Sequence, residues 1–107
     1  MCLLSTREEL IKVMVNGLLK KNGLKCLSYK PYEVYRASCD ELAPTYASLV
    51  RYVMDRLYEA GYFQHRIVRT SGQKNIRRVY VTCRGELYDA IKRKDAEKIR
   101  QIIESVL

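Results

Sequence analysis

Residues 60–91 read AGYFQHRIVRTSGQKNIRRVYVTCRGELYDAI, and from Gln64 to Arg84 they hold six Lys or Arg with no Asp or Glu. Two runs rich in β-branched residues, HRIVRT (65–70) and IRRVYVT (76–82), flank the polar segment SGQKN (71–75), the pattern of a two-stranded hairpin. If Thr70 lies opposite Ile76, then Ile67, Val79 and Val81 share one face and Arg66, Arg78 and Tyr80 share the other. This register predicts a ribbon with an apolar root and a basic outer face and tip. A hydrated surface has no reason to exclude acids from 21 consecutive residues, so the ribbon asks for an anionic partner.

The rest of the chain is nearly balanced. The net charge is +8; residues 1–61 carry nine cations against seven acids, and residues 85–107 carry five of each. Three quarters of the net charge therefore sits in residues 64–84, a concentration to which phosphates could dock. In that segment five of the six cations are arginine, which favours geometrically defined contacts over diffuse charge. With 107 residues, 48% of them hydrophobic and 30% charged, the chain suits one soluble folded domain spanning 1–107. No apolar run approaches the roughly 18 residues of a membrane span, and MCLLSTREEL (1–10) is too short and soon too acidic for a signal peptide. A cytoplasmic location with no membrane partner is the expectation.

The sequence points away from catalysis. It holds no Gly-rich phosphate loop, no nucleophile in a recognisable setting and one histidine, His65, which opens a strand. Cys2, Cys26, Cys39 and Cys83 are too far apart for two of them to grip a zinc ion from one turn. Buried free thiols are the expectation for them, with a disulfide as the alternative, favoured by a hyperthermophilic source. No cofactor, metal or small-molecule effector is indicated.

Upstream, Ser5 and Thr6 each precede a glutamate by three residues, the reciprocal cap of a helix start. Leu10, Ile11, Met14, Val15, Leu18 and Leu19 then recur at helical spacing, and Asn22-Gly23 predicts a left-handed exit. LKCLSY (24–29) alternates as a short strand does, and Pro31 suits the first position of a two-turn helix. In PTYASLVRYVMDRLYEAGYF (44–63), Val50, Val53, Met54, Leu57 and Gly61 follow one helix face, while Thr45, Ser48, Arg51, Tyr52, Asp55 and Glu59 follow the other. Past the ribbon, RGELYDAIKRK (84–94) and DAEKIRQIIESVL (95–107) read as helical, the second capped by Asp95.

Helix, short strand, helix, helix, ribbon, helix is an order that resembles winged helix-turn-helix domains. Residues 44–63 look like the recognition helix of that superfamily, with Leu57, Gly61, Tyr62 and Phe63 in its late-leucine, glycine and hydrophobic-pair places. Residues 81–91 look like the exit of its wing, where Thr82, Gly85 and Leu87 match. The resemblance covers residues 6–91 and implies an α+β fold: a three-helix core, a short strand, a two-stranded β wing and an added C-terminal helix over 95–107. The runner-up fold is a small α+β domain with another connectivity.

What the resemblance implies for function is binding of double-stranded DNA by a transcriptional regulator. Its helix at 45–60 would enter the major groove, offering Thr45, Tyr46, Ser48, Arg51 and Tyr52, with Arg51 best suited to a bidentate bond with guanine. Asp55 and Glu59 would lie where the docked helix leaves the groove. The wing residues Arg66, Arg69, Lys74, Asn75, Arg77, Arg78 and Arg84 would meet backbone or minor groove, Lys74 and Asn75 at the tip. The stripe Ile99, Ile102, Ile103 and Val106 either folds back onto the first helix or pairs with a second copy, and a homodimer is the favoured expectation. The alternative function is a protein-interaction module or accessory subunit of a nucleic-acid-processing complex.

Overall fold

Thr6 opens the first helix with its hydroxyl, which accepts the Glu9 amide N–H at 3.1 Å. The computed structural model describes residues 6–23, 25–37, 44–71 and 75–107, with backbone alone for 44–46, 69–71 and 75–77. Within it α1 (Arg7–Leu19) is followed by β1 (Leu27–Tyr29), α2 (Pro31–Arg36), α3 (Pro44–Glu59), β2 (His65–Ser71), β3 (Asn75–Thr82), α4 (Glu86–Lys92) and α5 (Ala96–Val106). The described residues thus form an α+β fold of five helices and one antiparallel sheet of order β1-β3-β2.

Local chemistry sets most of the boundaries. Pro31 sits in the first turn of α2, where its missing N–H costs nothing, and Asp95 caps α5 by accepting the Lys98 amide at 3.1 Å. Helix α3 ends at Gly61, whose φ of +91° reverses the chain while Tyr62 N–H and Gly61 N–H bond the carbonyls of Leu57 and Tyr58 at 3.0 Å each. Gly85 stands before α4 at φ +104° and ψ −176°, a conformation open essentially to glycine alone. Helix α1 ends differently from expectation, since neither Asn22 nor Gly23 takes a positive φ. Lysine ammonium groups complete its end: Lys94 Nζ donates to the carbonyls of Leu19 at 2.5 Å and Lys21 at 3.2 Å, and Lys92 Nζ to that of Gly23. Cations are favourable at this negative pole of the helix, so no left-handed residue is needed.

The core is one cluster contributed by all the helices and the inner face of the sheet. Phe63, just past the α3 terminus, packs edge-on to Tyr29 at 6.1 Å between centroids and tilted against Tyr80 at 5.6 Å. The Tyr29 hydroxyl, buried with its ring, donates to the Leu18 carbonyl at 2.7 Å. Ile99, Ile102, Ile103 and Val106 are buried in this same cluster. That corrects the expectation of a dimer seam along α5: the stripe covers the domain's own core, packing α5 on α1, α3 and α4.

The hairpin register is the expected one, with Thr70 opposite Ile76, but its polarity is reversed. Leu27 pairs with Thr82 and Tyr29 with Tyr80 across β1–β3, and all four are buried. The face shared by Arg66, Arg78 and Tyr80 is therefore the one turned to the core, while Ile67 on the opposite face is exposed. A tyrosine ring buries more apolar area than a valine side chain, and Tyr29 and Phe63 already line that side.

The thiol expectation is also overturned. Cys26 and Cys83 continue the β1–β3 register by one position and are joined as a disulfide, with Cys26 exposed rather than buried; Cys2 and Cys39 lie outside the described residues. The sequence separation closed is 57, for which the chain-entropy relation gives about 4 kcal/mol. Reduction should lower the unfolding free energy by up to about that amount in urea titrations, and equal midpoints with and without reductant would show that the bond adds nothing.

Helix α1 meets α2 closely at Gly17, where a Cβ would stand 2.5 Å from Val34 Cγ1, 2.6 Å from its carbonyl oxygen and 2.8 Å from its Cα. Alanine would gain about 1 kcal/mol in helix propensity, but two of these three atoms are backbone and overpacking costs about 1–3 kcal/mol. Gly17→Ala is expected to lose up to about 2 kcal/mol net in urea unfolding; a raised midpoint would mean that α2 can slide away.

Candidate nucleic-acid interface

Helix α3 projects two kinds of side chain. Val50, Val53, Met54 and Leu57 are wholly buried, and Ser48, Arg51 and Tyr52 are exposed, Tyr52 by 56%. The side chains of Thr45 and Tyr46 lie outside the described residues. Asp55 follows Tyr52 by three positions and Arg51 by four, which makes them neighbours on the helix surface.

Asp55 is where α3 meets the hairpin. Its Oδ1 accepts from Arg66 Nη1 at 3.0 Å on β2 and from the Tyr80 hydroxyl at 2.5 Å on β3, and its Oδ2 accepts from Arg78 Nη1 at 3.0 Å. The Arg66 guanidinium also lies over the Tyr58 ring, 4.9 Å from the centroid. One carboxylate, its side chain 20% exposed, thus ties one helix to two strands. Sequence reasoning does not reach this constellation. Alternation groups Arg66, Arg78 and Tyr80 on one face, but Asp55 falls to the groove exit as long as the hairpin's inner face is taken to be apolar.

The electrostatics follow from this geometry. Hydrogen bonding to Asp55, and then its charge, push the Arg66 pKa up, so the guanidinium stays charged. Burial, then the hydrogen bond to Asp55, push the Tyr80 phenol well above its ordinary range, and burial does the same for Tyr29.

Of the other cations expected on the ribbon, Arg84 is described and exposed at the end of the hairpin, and its carbonyl accepts from Gln64 Nε2 at 3.2 Å. Gln64 Oε1 in turn accepts the Cys83 amide at 2.6 Å, closing the hairpin root. Arg69, Asn75 and Arg77 are placed by backbone alone, Arg69 opposite Arg77 and Ser71 opposite Asn75, and Lys74 lies outside the described residues. Ile67 and Val68 are 39% and 49% exposed on β2.

In comparisons with known proteins, no family model, no curated protein and no solved structure matches this chain. Among the described residues no cluster of His, Cys, Asp and Glu could hold a metal ion, and no helix is long and apolar enough to cross a membrane.

The pH dependence of stability follows from the raised phenols. An unfolded tyrosine loses its proton near about pH 10, whereas folded Tyr80 holds it to higher pH. The stabilisation is therefore fully present below about pH 10 and is lost as pH rises from there through the folded pKa. Unfolding free energy should fall above about pH 10, and the advantage of the wild type over Tyr80→Phe should shrink across the same range. Parallel declines for the two proteins would remove Tyr80 as the titrating group.

Proposed function

We propose that the chain binds double-stranded DNA as a small cytoplasmic transcriptional regulator of the winged-helix kind, with α3 in the major groove and the hairpin on backbone or minor groove. The observation that carries the reading is the run at 64–84, six cations without an acid, joined through Asp55 to the helix face that exposes Arg51 and Tyr52. An α-helix fits the major groove, and guanidinium can bond the two acceptors of guanine. In this reading Arg51 reads a base, Ser48, Thr45 and Tyr52 add single hydrogen bonds, and Arg69, Arg77 and Arg84 meet phosphates with Lys74 and Asn75 at the tip. The element order and the β1-β3-β2 sheet support it. The reading is for a single chain, because the α5 stripe is spent on the core. A disulfide in an intracellular protein of this kind suits a hyperthermophilic source.

A second reading, a protein-docking module, has one observation in its favour: the exposed Ile67 and Val68 on β2. It predicts binding to a protein surface with little salt dependence.

Fluorescence anisotropy with a random duplex across a salt series separates the two. DNA binding should weaken steeply with salt, and a variant carrying Arg69→Ala, Lys74→Ala and Arg77→Ala should have a slope shallower by about 0.9 for each phosphate that it no longer neutralises. No binding at about 100 mM salt would overturn the DNA reading in favour of docking.

A further inference from the structure

We infer that Arg66 and Arg78 form a two-guanidinium site for one backbone phosphate, built beside α3 by Asp55 as their positioning residue. The inference rests on the DNA reading and extends it to a residue of the wrong charge for DNA. A carboxylate beside a polyanion should simply repel it, and that is the bland expectation for Asp55. The geometry points to another role. The two arginines come from different strands, yet each gives Nη1 to a different oxygen of the same carboxylate, at 3.0 Å. A guanidinium has five N–H donors in a planar fork, and among the described residues Asp55 is the one acid that either arginine meets. About a third of each arginine side chain remains open, 35% for Arg66 and 33% for Arg78.

Two positive charges against one negative leave the cluster cationic. The Tyr58 ring against Arg66, and the Tyr80 hydroxyl on Oδ1, further restrict how the carboxylate and the first guanidinium can turn. Free arginines on a hairpin would have to be ordered when they meet a phosphate, at a cost in rotamer freedom. Here that ordering precedes binding. A phosphate has several anionic oxygens, so it can accept from both guanidiniums at once. Because Asp55 lies one turn from Arg51 and Tyr52, a phosphate held there would also set how deeply the exposed face of α3 can dock.

The test uses Asp55→Asn and Asp55→Glu, with affinity and salt slope measured on a fluorescein-labelled random duplex and folding checked by circular dichroism and thermal unfolding. Charge alone predicts that Asp55→Asn, which adds one positive unit to the net charge, binds more tightly and that Asp55→Glu, with charge unchanged, binds as the wild type does. Positioning predicts the opposite. Both variants should bind about tenfold more weakly, the scale of one charge-assisted hydrogen bond, with a salt slope shallower by about 0.9, the amount for one phosphate. Should Asp55→Asn not fold, Asp55→Glu carries the test alone, since its charge is that of the wild type. Wild-type binding with both variants equal to it or tighter would overturn the phosphate site and leave the DNA reading standing. No binding by the wild type at about 100 mM salt would remove both.

Discussion

A phenol buried at the root of the hairpin needs an acceptor for its hydroxyl, and Asp55 provides it. Leaving such a group unpaired would cost about 1–3 kcal/mol, so the burial of Tyr80 and the position of Asp55 are one decision. Once Tyr80 faces the core, strand alternation brings Arg66 and Arg78 to the same face, next to the carboxylate already there. The angle between α3 and the hairpin is then held by three donors on one side chain instead of by a loop. Surface ion pairs contribute little singly, but Asp55 is mostly shielded and shared among α3, β2 and β3, which moves it toward the costly class of groups to remove.

A second set of constraints ties the sheet to the helices around it. The disulfide extends the β1–β3 register by one residue pair, so the short strand β1 is joined covalently where three residues of ladder end. Close by, the Tyr88 hydroxyl of α4 donates to the Lys25 carbonyl at 2.7 Å, and Lys92 and Lys94 reach back to the end of α1. These bonds bring the C-terminal third of the chain onto its beginning. At the other end Arg100 of α5 bridges Glu8 of α1 and its own Glu104. The apolar stripe of α5 is thereby held against α1, with α3 and α4 beside it, so its area is buried within the chain's own core.

How much of this is legible in the sequence depends on the range of the interaction. Thr6, Pro31, Gly61 and Asp95 act within a turn of their own position, and each can be read directly. The hairpin register can be read as well, since two β-branched runs of similar length leave few ways to pair. The polarity of that hairpin cannot, because it depends on β1, whose LSY offers only Leu27 and Tyr29 as a hint that aromatic rings collect on one side. Counting Tyr80 as polar for its hydroxyl, beside two arginines, gives the reversed assignment. The Cys26–Cys83 bond is hidden for the same reason: it joins positions 57 apart that become neighbours only when β1 pairs with β3. The end of α1 escapes a local reading because its cations come from residues around 70 positions downstream.

The candidate site separates charge from geometry in a way that a count of cations conceals. Residues 64–84 supply six positive charges, yet two of them share a carboxylate, so the long-range field of the ribbon is weaker than its composition implies. At close range the balance changes. A fixed guanidinium donates along a known direction, and its remaining donors need no reordering, whereas a free side chain of equal charge must lose about 2 kcal/mol of rotamer freedom. In the proposed DNA reading, the field governs how quickly and how generally a polyanion is drawn in, while the fixed donors govern where it stops. A surface built only to gather phosphates would have no use for Asp55. One that also holds a helix against two strands gains from an acid there, because a carboxylate offers two charged oxygens and here takes one guanidinium from each strand.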